Sequence, residues 1–194
     1  HDNRQALKKA AIEGTHLEVE EVAGLAKSLE SVRLIVRFFE GDRKEEYPRL
    51  KELSGRVKLF PFVTERIQKI LNKHGKIRDN ASSTLHQIRR SQQEKQGAVS
   101  KKLNHVMNKA QREGWVDADA APTYRDGRPV IPVMAGNKRK VGGMVHDESA
   151  TGKNVYIEPG EVVELANEIR ELEYAERREI IQILLELCLL LLQL

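Results

Sequence analysis

A chain of 194 residues is long enough to bury a core, and one or two domains are expected at that length. Aromatics make up only 5% and charged residues 32%, the balance of long helices with narrow apolar seams, so an elongated helical molecule is expected. The net charge of +4 is too small by itself to imply a nucleic-acid partner, and the single cysteine, Cys188, excludes a disulfide framework and suits a reducing, cytoplasmic setting. No amino-terminal signal segment is evident. The chain opens on His1 already in helical sequence and stops inside an apolar run, and is expected to be a piece of a longer protein.

In chain order, Asn3 to Ile12 reads as a short helix ended by Gly14-Thr15. Leu17 to Phe39 is a stronger one with a broad apolar face, closed by Gly41-Asp42. Tyr47 to Leu53 and Thr64 to Leu71 are shorter helical pieces, with Pro61 in the loop between them. Leu50, Leu53, Val57, Phe60, Phe62 and Ile67 are expected to pack on the second helix, making residues 1–74 a compact helical core.

His74 to Ala81 is a turn, and Ser82 has the chemistry of an N-cap, its hydroxyl free to accept from an amide of the next turn. No proline occurs from Ser83 to about Glu113, which gives a helix on the order of 45 Å long. Its apolar positions fall near heptad spacing, its middle is polar, and Gly97 is its weak point. A second long helix is expected from Glu161 to the end. The first carries seven basic residues against two acidic, the second eight Glu against three Arg, and this complementarity predicts an antiparallel pair. With Glu113 set beside Glu161, Lys95 falls near Glu179. The apolar tail Ile180–Leu194 is too short and interrupted to span a membrane and is expected to be buried on all sides in the helical core.

Between the two helices the pattern changes. Val130–Val133, Gly143–His146 and Asn154–Ile157 are short β-rich runs separated by Gly, Asn, Asp and Ser clusters, the punctuation of a small antiparallel meander. The predicted fold class is therefore mainly α with a small antiparallel β insert. The organisation read from the sequence is 1–74 core, 75–114 first long helix, 115–159 insert and 160–194 second long helix.

Enzyme chemistry is weakly represented. Asp147 to Asn154 resembles half a phosphate-binding loop but has Asp147 where the loop needs Gly, and Asn154 where it needs Ser or Thr for Mg²⁺. His146, Asp147 and Ser149 are triad residue types without a nucleophile elbow, and read better as turn-fixing polar groups. The six His are scattered, with no metal-ligand spacing. The candidate functional surface is the basic run Lys138-Arg139-Lys140 at the tip of an expected hairpin, joined by Arg125, Arg128 and Lys153 from neighbouring turns. Such a cluster can grip phosphates without reading sequence. The same residues also read as a solvated turn, or as charges blunting an exposed sheet edge.

Several linked motifs in one order carry a resemblance. Gly127-Arg128-x-Val130-Ile131-Pro132-Val133, Gly143-Met144-Val145-His146-Asp147, Ser149-Ala150-Thr151-Gly152, Ile157-Glu158-Pro159 and Asn167-Glu168-Ile169-Arg170-Glu171-Leu172 look like the bacterial MutS-II proteins, relatives of the mismatch-repair ATPase MutS. Gly75 to Ser82 resembles that family too. The resemblance implies a helical core, two lever helices and a reduced clamp-like β insert. It implies a parent whose ATPase domain, using ATP and Mg²⁺, follows the second lever and which ends in a small Smr nuclease domain, neither of them within this chain. It further implies a dimer that binds DNA by structure rather than sequence and restrains recombination, with the ribosome as an alternative partner, no membrane, and a non-catalytic role for this segment. Pro129 stands where the family pattern usually has an aromatic, and Ala166 where it often has Asn.

Overall fold

The computed structural model describes residues 2–40 and 46–193; the helix stop read at Gly41-Asp42 lies outside the described residues. The elements are α1 (Arg4–Ala10), α2 (Val19–Glu40), α3 (Pro48–Ser54), α4 (Pro61–Ile70), α5 (Ser83–Arg112), β1 (Thr123–Arg125), β2 (Arg128–Met134), β3 (Gly143–Glu148), β4 (Asn154–Pro159) and α6 (Gly160–Leu191). The protein is mainly helical with one four-stranded antiparallel sheet, as the sequence pattern predicts. Two compact units divide it, His1–His86 with Arg177–Leu194, and Gln87–Glu176.

In the first unit, Leu17, Val22, Val63, Ile67, Leu85 and Leu187 form the heart of an apolar core. The amino end of α2 is built by its own carboxylate: Glu21 Oε2 accepts from the Glu18 amide at 2.7 Å, half of a capping box, and from Lys9 Nζ at 2.8 Å, which pins α1 to α2. Lys9, first, and the Glu18 amide hold the Glu21 carboxyl below its ordinary pKa, while Glu21 raises that of Lys9. The fourth helix starts at Pro61 rather than Thr64, because proline suits the first helical position, where its missing N–H would have no partner anyway. Beyond α4, Arg78 Nε donates to the carbonyls of Gln68 (2.8 Å) and Leu71 (2.9 Å), serving the exposed end of that helix. Ser82 is the N-cap of α5: its hydroxyl oxygen accepts from the Leu85 amide at 2.9 Å and donates to Glu179 at 2.6 Å.

Two packing expectations hold only in part in this unit. Ile67 is buried and Phe60 packs against the core, but Leu50, Leu53, Val57 and Phe62 are exposed. The third helix lies against the Val32–Phe39 part of α2, where Val36 is buried, but of its own residues only Ser54 is buried; the core takes α2 through Val22 and Leu25, so these apolar residues line α2 without being enclosed. The tail of α6 buries Ile183, Leu184, Leu187 and Cys188 but leaves Ile181, Leu189 and Leu192 exposed, since the core covers one face of the helix and not its circumference.

In the second unit α5 and α6 run antiparallel. Arg89 Nε meets Glu176 at 2.8 Å, Lys95 pairs with Glu168, and Lys102 Nζ donates to the Glu161 carbonyl at 3.2 Å. The orientation is the expected one and the register is not. Lys95 meets Glu168 rather than Glu179, a shift of eleven residues, or about three helical turns. The cause is apolar. Leu103, Val106, Met107 and Ala110, on the last turns of α5, continue past the start of α6 and pack beneath the sheet against Ile131, Val133, Val155 and Ile157. Exposed ion pairs are worth a few tenths of a kcal/mol each, too little to oppose that burial.

The sheet has the order β1-β2-β4-β3, all neighbours antiparallel. Four strands appear where three runs were read. The unread one, β1, forms a hairpin with β2 across Asp126-Gly127, both at positive φ (48° and 74°). An Asp-Gly pair is a strong local signal for such a two-residue turn, and it was visible in the sequence.

Candidate nucleic-acid interface

The basic residues singled out by the sequence separate into two groups. Arg125 and Arg128 flank the β1–β2 turn and are engaged in structure. The Arg125 guanidinium lies 4.0 Å from the ring centroid of Tyr156 and 3.2 Å from Asp147. Arg128 Nη1 donates to Asn167 Oδ1 of α6 at 2.7 Å and approaches Glu158 Oε1 at 3.3 Å. Nearby, Arg170 of α6 donates to the Asp126 carbonyl at 3.0 Å, so the turn is fastened to the helix.

Lys138, Arg139 and Lys140 lie elsewhere and are not at a hairpin tip. The strand following β2 in the chain is β3, but β4 sits between them in the sheet, so residues 135–142 form a crossover. The crossover is anchored along its length. The Ala135 amide donates to the Lys153 carbonyl (2.8 Å), Asn137 Nδ2 to the Gly114 carbonyl (3.4 Å), and the Gly160 amide to the Gly142 carbonyl (3.0 Å), while Val141 is buried in the core beneath the sheet. A short 3-10 turn, Ala135–Asn137, leads into the three cations. Lys138, Arg139, Lys140 and Lys153 are all exposed, and no ion pair involves them among the described residues. Lys153 lies at the Met134–Asn154 end of the β2–β4 pairing, whereas Arg128 opens β2 six residues away, roughly 20 Å along the strand. The structure thus unites Lys153 with the crossover and removes Arg125 and Arg128 from it.

The same anchoring brings in the end of α5. Lys109 and Arg112 are exposed on its last turns, and Gly114 and Trp115 just beyond hold Asn137 and Met134. In the sequence these two cations count only as helix charge. Their position immediately before the loop was the one available sign.

The polar residues of the β3–β4 region are occupied structurally. Val145 and Asp147 have partners on β4 in shifted register, so His146 is the extra residue of a β-bulge. The bulge aims its Nε2 at Glu158 Oε2, 2.6 Å away. Glu158 is fully buried, and through Arg128 and His146 one carboxylate ties three strands together. Ser149 Oγ accepts from the Asn154 amide at 3.0 Å and stabilises the turn. His146, Asp147 and Ser149 therefore have separate partners and do not assemble as a triad. Gly143 is required for close approach: a Cβ there would stand 2.1 Å from the Glu158 carbonyl oxygen.

These features define a mainly helical protein with a small antiparallel β insert that bears a cationic crossover. No family model matches the chain. It is 39% identical over 186 residues to an endonuclease MutS2 of Pelotomaculum thermopropionicum, 36% over 188 residues to one of a Geobacillus species, and 32% over 189 residues to one of Clostridioides difficile. Each match takes in 96% of this chain and 23–24% of the relative, so the chain spans about a quarter of the length of these relatives. The chain belongs to the MutS-II family, as the counterpart of that segment. Among the described residues no helix is long and apolar enough to cross a membrane.

Proposed function

We propose that this segment is the non-catalytic core, lever and clamp-like part of a MutS-II protein acting in DNA repair and restraint of recombination, and that it grips the phosphate backbone of DNA through Lys138, Arg139, Lys140 and Lys153. The observation carrying this is the set of four exposed cations, without carboxylate partners among the described residues, on and beside a crossover anchored to the sheet and to the end of α5. Contacts of this kind recognise the shape and charge of a nucleic acid, not its base sequence. Arg125 and Arg128 hold the insert together in this reading. ATP and Mg²⁺ belong to a separate ATPase domain of the longer polypeptide, whose state the helices would relay, and dimerisation and a cytoplasmic setting are likewise inferred from the family.

The test is duplex binding by the chain carrying Lys138→Glu, Arg139→Glu, Lys140→Glu and Lys153→Glu, with circular dichroism as a check on helicity. Weakened binding with a shallower salt dependence and unchanged helicity supports the reading; unaltered affinity and salt slope reject it. Loss of ribosome binding with duplex binding retained would transfer the same cations to ribosomal RNA.

A further inference from the structure

The turn after α4 concentrates positive charge in the first unit. Lys69, Lys73, His74, Lys76 and Arg78 are all exposed, and no carboxylate occurs between Lys69 and Arg78. The turn is built to hold its shape. Asn72 Oδ1 accepts from the His74 and Lys76 amides at 2.9 and 3.1 Å, and the Asn72 amide donates to the Lys76 carbonyl at 2.8 Å. Leu71 and Ile77 form a short antiparallel bridge across it. Gly75, at a φ of 73°, lets the turn close on α2, where a Cβ would stand 3.4 Å from the Ala23 methyl.

Between this turn and α2 lies a slot of about 150 Å³, with Ala23, Ala26 and Ile67 on its apolar side. An apolar cavity of about that volume takes one benzene ring. Lys27 and Lys73 are part of the lining itself, and so are the side-chain amides of Gln68 and Asn72. Both lysines are exposed, and neither is in an ion pair among the described residues. The nearest carboxylate along α2, Glu30, is held by Arg33 at 2.7 Å. The Asn72 carbonyl oxygen is spent within the turn, which leaves its NH₂ as a donor, while the Gln68 amide keeps both a donor and an acceptor.

A ring-sized apolar slot bordered by two ammonium groups and two amides matches one unstacked nucleotide. The base enters the slot, the amides meet its polar edge, and the lysines take the phosphates. Bases in a duplex are paired and stacked, so such a site selects a single strand, and its volume suits the one ring of a pyrimidine. We infer that the α4–α5 turn and α2 form a binding site for single-stranded nucleic acid, with one pyrimidine base in the slot and its phosphates on Lys27 and Lys73. Lys69, His74 and Lys76 are open to further phosphates of the same strand. This site is separate from the cationic crossover of the β insert.

The probe is a labelled thymidine octanucleotide, titrated by fluorescence anisotropy into the 194-residue chain that already carries the four crossover substitutions, so the outcome does not depend on the crossover. Expected are saturable binding of this strand and at least tenfold weaker binding of an abasic octanucleotide and of a duplex of the same length. Lys27→Glu with Lys73→Glu, at positions open to solvent, should weaken binding tenfold or more while leaving the circular dichroism spectrum unchanged. Ala26→Leu fills the slot without altering charge, and should bring the thymidine strand down to the affinity of the abasic one. Equal binding of the thymidine and abasic strands, a duplex bound as tightly, or indifference to Lys27→Glu with Lys73→Glu overturns the inference. So does competition by free thymidine monophosphate at the same concentration as the strand, since the ligand is then a free nucleotide.

Discussion

At the scale of single residues, Glu158 does the most. It is fully buried, with the Arg128 guanidinium and the His146 ring as its partners, so its removal takes the carboxylate from both and leaves Arg128 with Asn167. Breaking a buried pair from one side costs about 3–5 kcal/mol. Glu158→Ala should therefore lower the unfolding free energy obtained from urea denaturation by that order and loosen β3 in hydrogen exchange. Gly143→Ala should cost about 3 kcal/mol or more in the same measurement, because its methyl would meet the Glu158 carbonyl and its φ of 157° is rarely adopted by side-chain-bearing residues. Glu21 gives a pH signature. Its folded pKa is depressed, so its contribution is present above the unfolded carboxylate pKa and is lost as pH falls through the folded value. Glu21→Gln should lower the melting temperature at pH 7, and the difference should narrow below about pH 4. Lys9, whose pKa is raised, loses its half of the interaction only as pH climbs through the alkaline range.

At the scale of elements, the two long helices show which force sets register. Complementary charge predicts their antiparallel course, and Arg89–Glu176 and Lys95–Glu168 confirm it, yet the alignment follows Leu103, Val106, Met107 and Ala110 onto the sheet. Within α5, nothing apart from the helix's own adjacent backbone lies within 4 Å of where a Cβ on Gly97 would stand. Gly97→Ala should thus stabilise the protein, by up to about 1 kcal/mol from helix propensity alone, measured as a rise in denaturation midpoint. No change, or a loss, would mean that the flexibility at this point of the helix is used. The β1–β2 hairpin illustrates the opposite case to the helix register. Its Asp126-Gly127 turn is a purely local signal, and the strand it creates was legible without any tertiary information.

At the scale of the whole molecule, kinship covers 96% of the chain and about a quarter of each relative, so the proposed work is that of one segment within a larger machine. The cationic crossover can be tested quantitatively. Each phosphate contact removed should reduce the magnitude of the slope of log affinity against log salt by about 0.9, so removal of four cations should flatten it by roughly 3–4. Arg128→Gln, by contrast, should act on stability and leave that slope nearly untouched, because Arg128 is spent on Glu158 and Asn167. A titration of duplex binding from low to moderate salt separates the two.

The residues by themselves determined the helical class, the Ser82 cap, the antiparallel course of the long pair, the existence of a β insert and its family, because each rests on local periodicity, short-range hydrogen bonding or a linear motif. Tertiary structure alone decided the helix register, the crossover that takes Lys138–Lys140 off a hairpin and joins them to Lys153 and the end of α5, and the diversion of Arg125 and Arg128 into ion pairs. It also decided that Leu50, Leu53 and Val57 stay outside the core. The reason is the same in each case: strand order and the supply of apolar neighbours arise from contacts between residues far apart in the chain, and periodicity identifies a face without naming what will cover it.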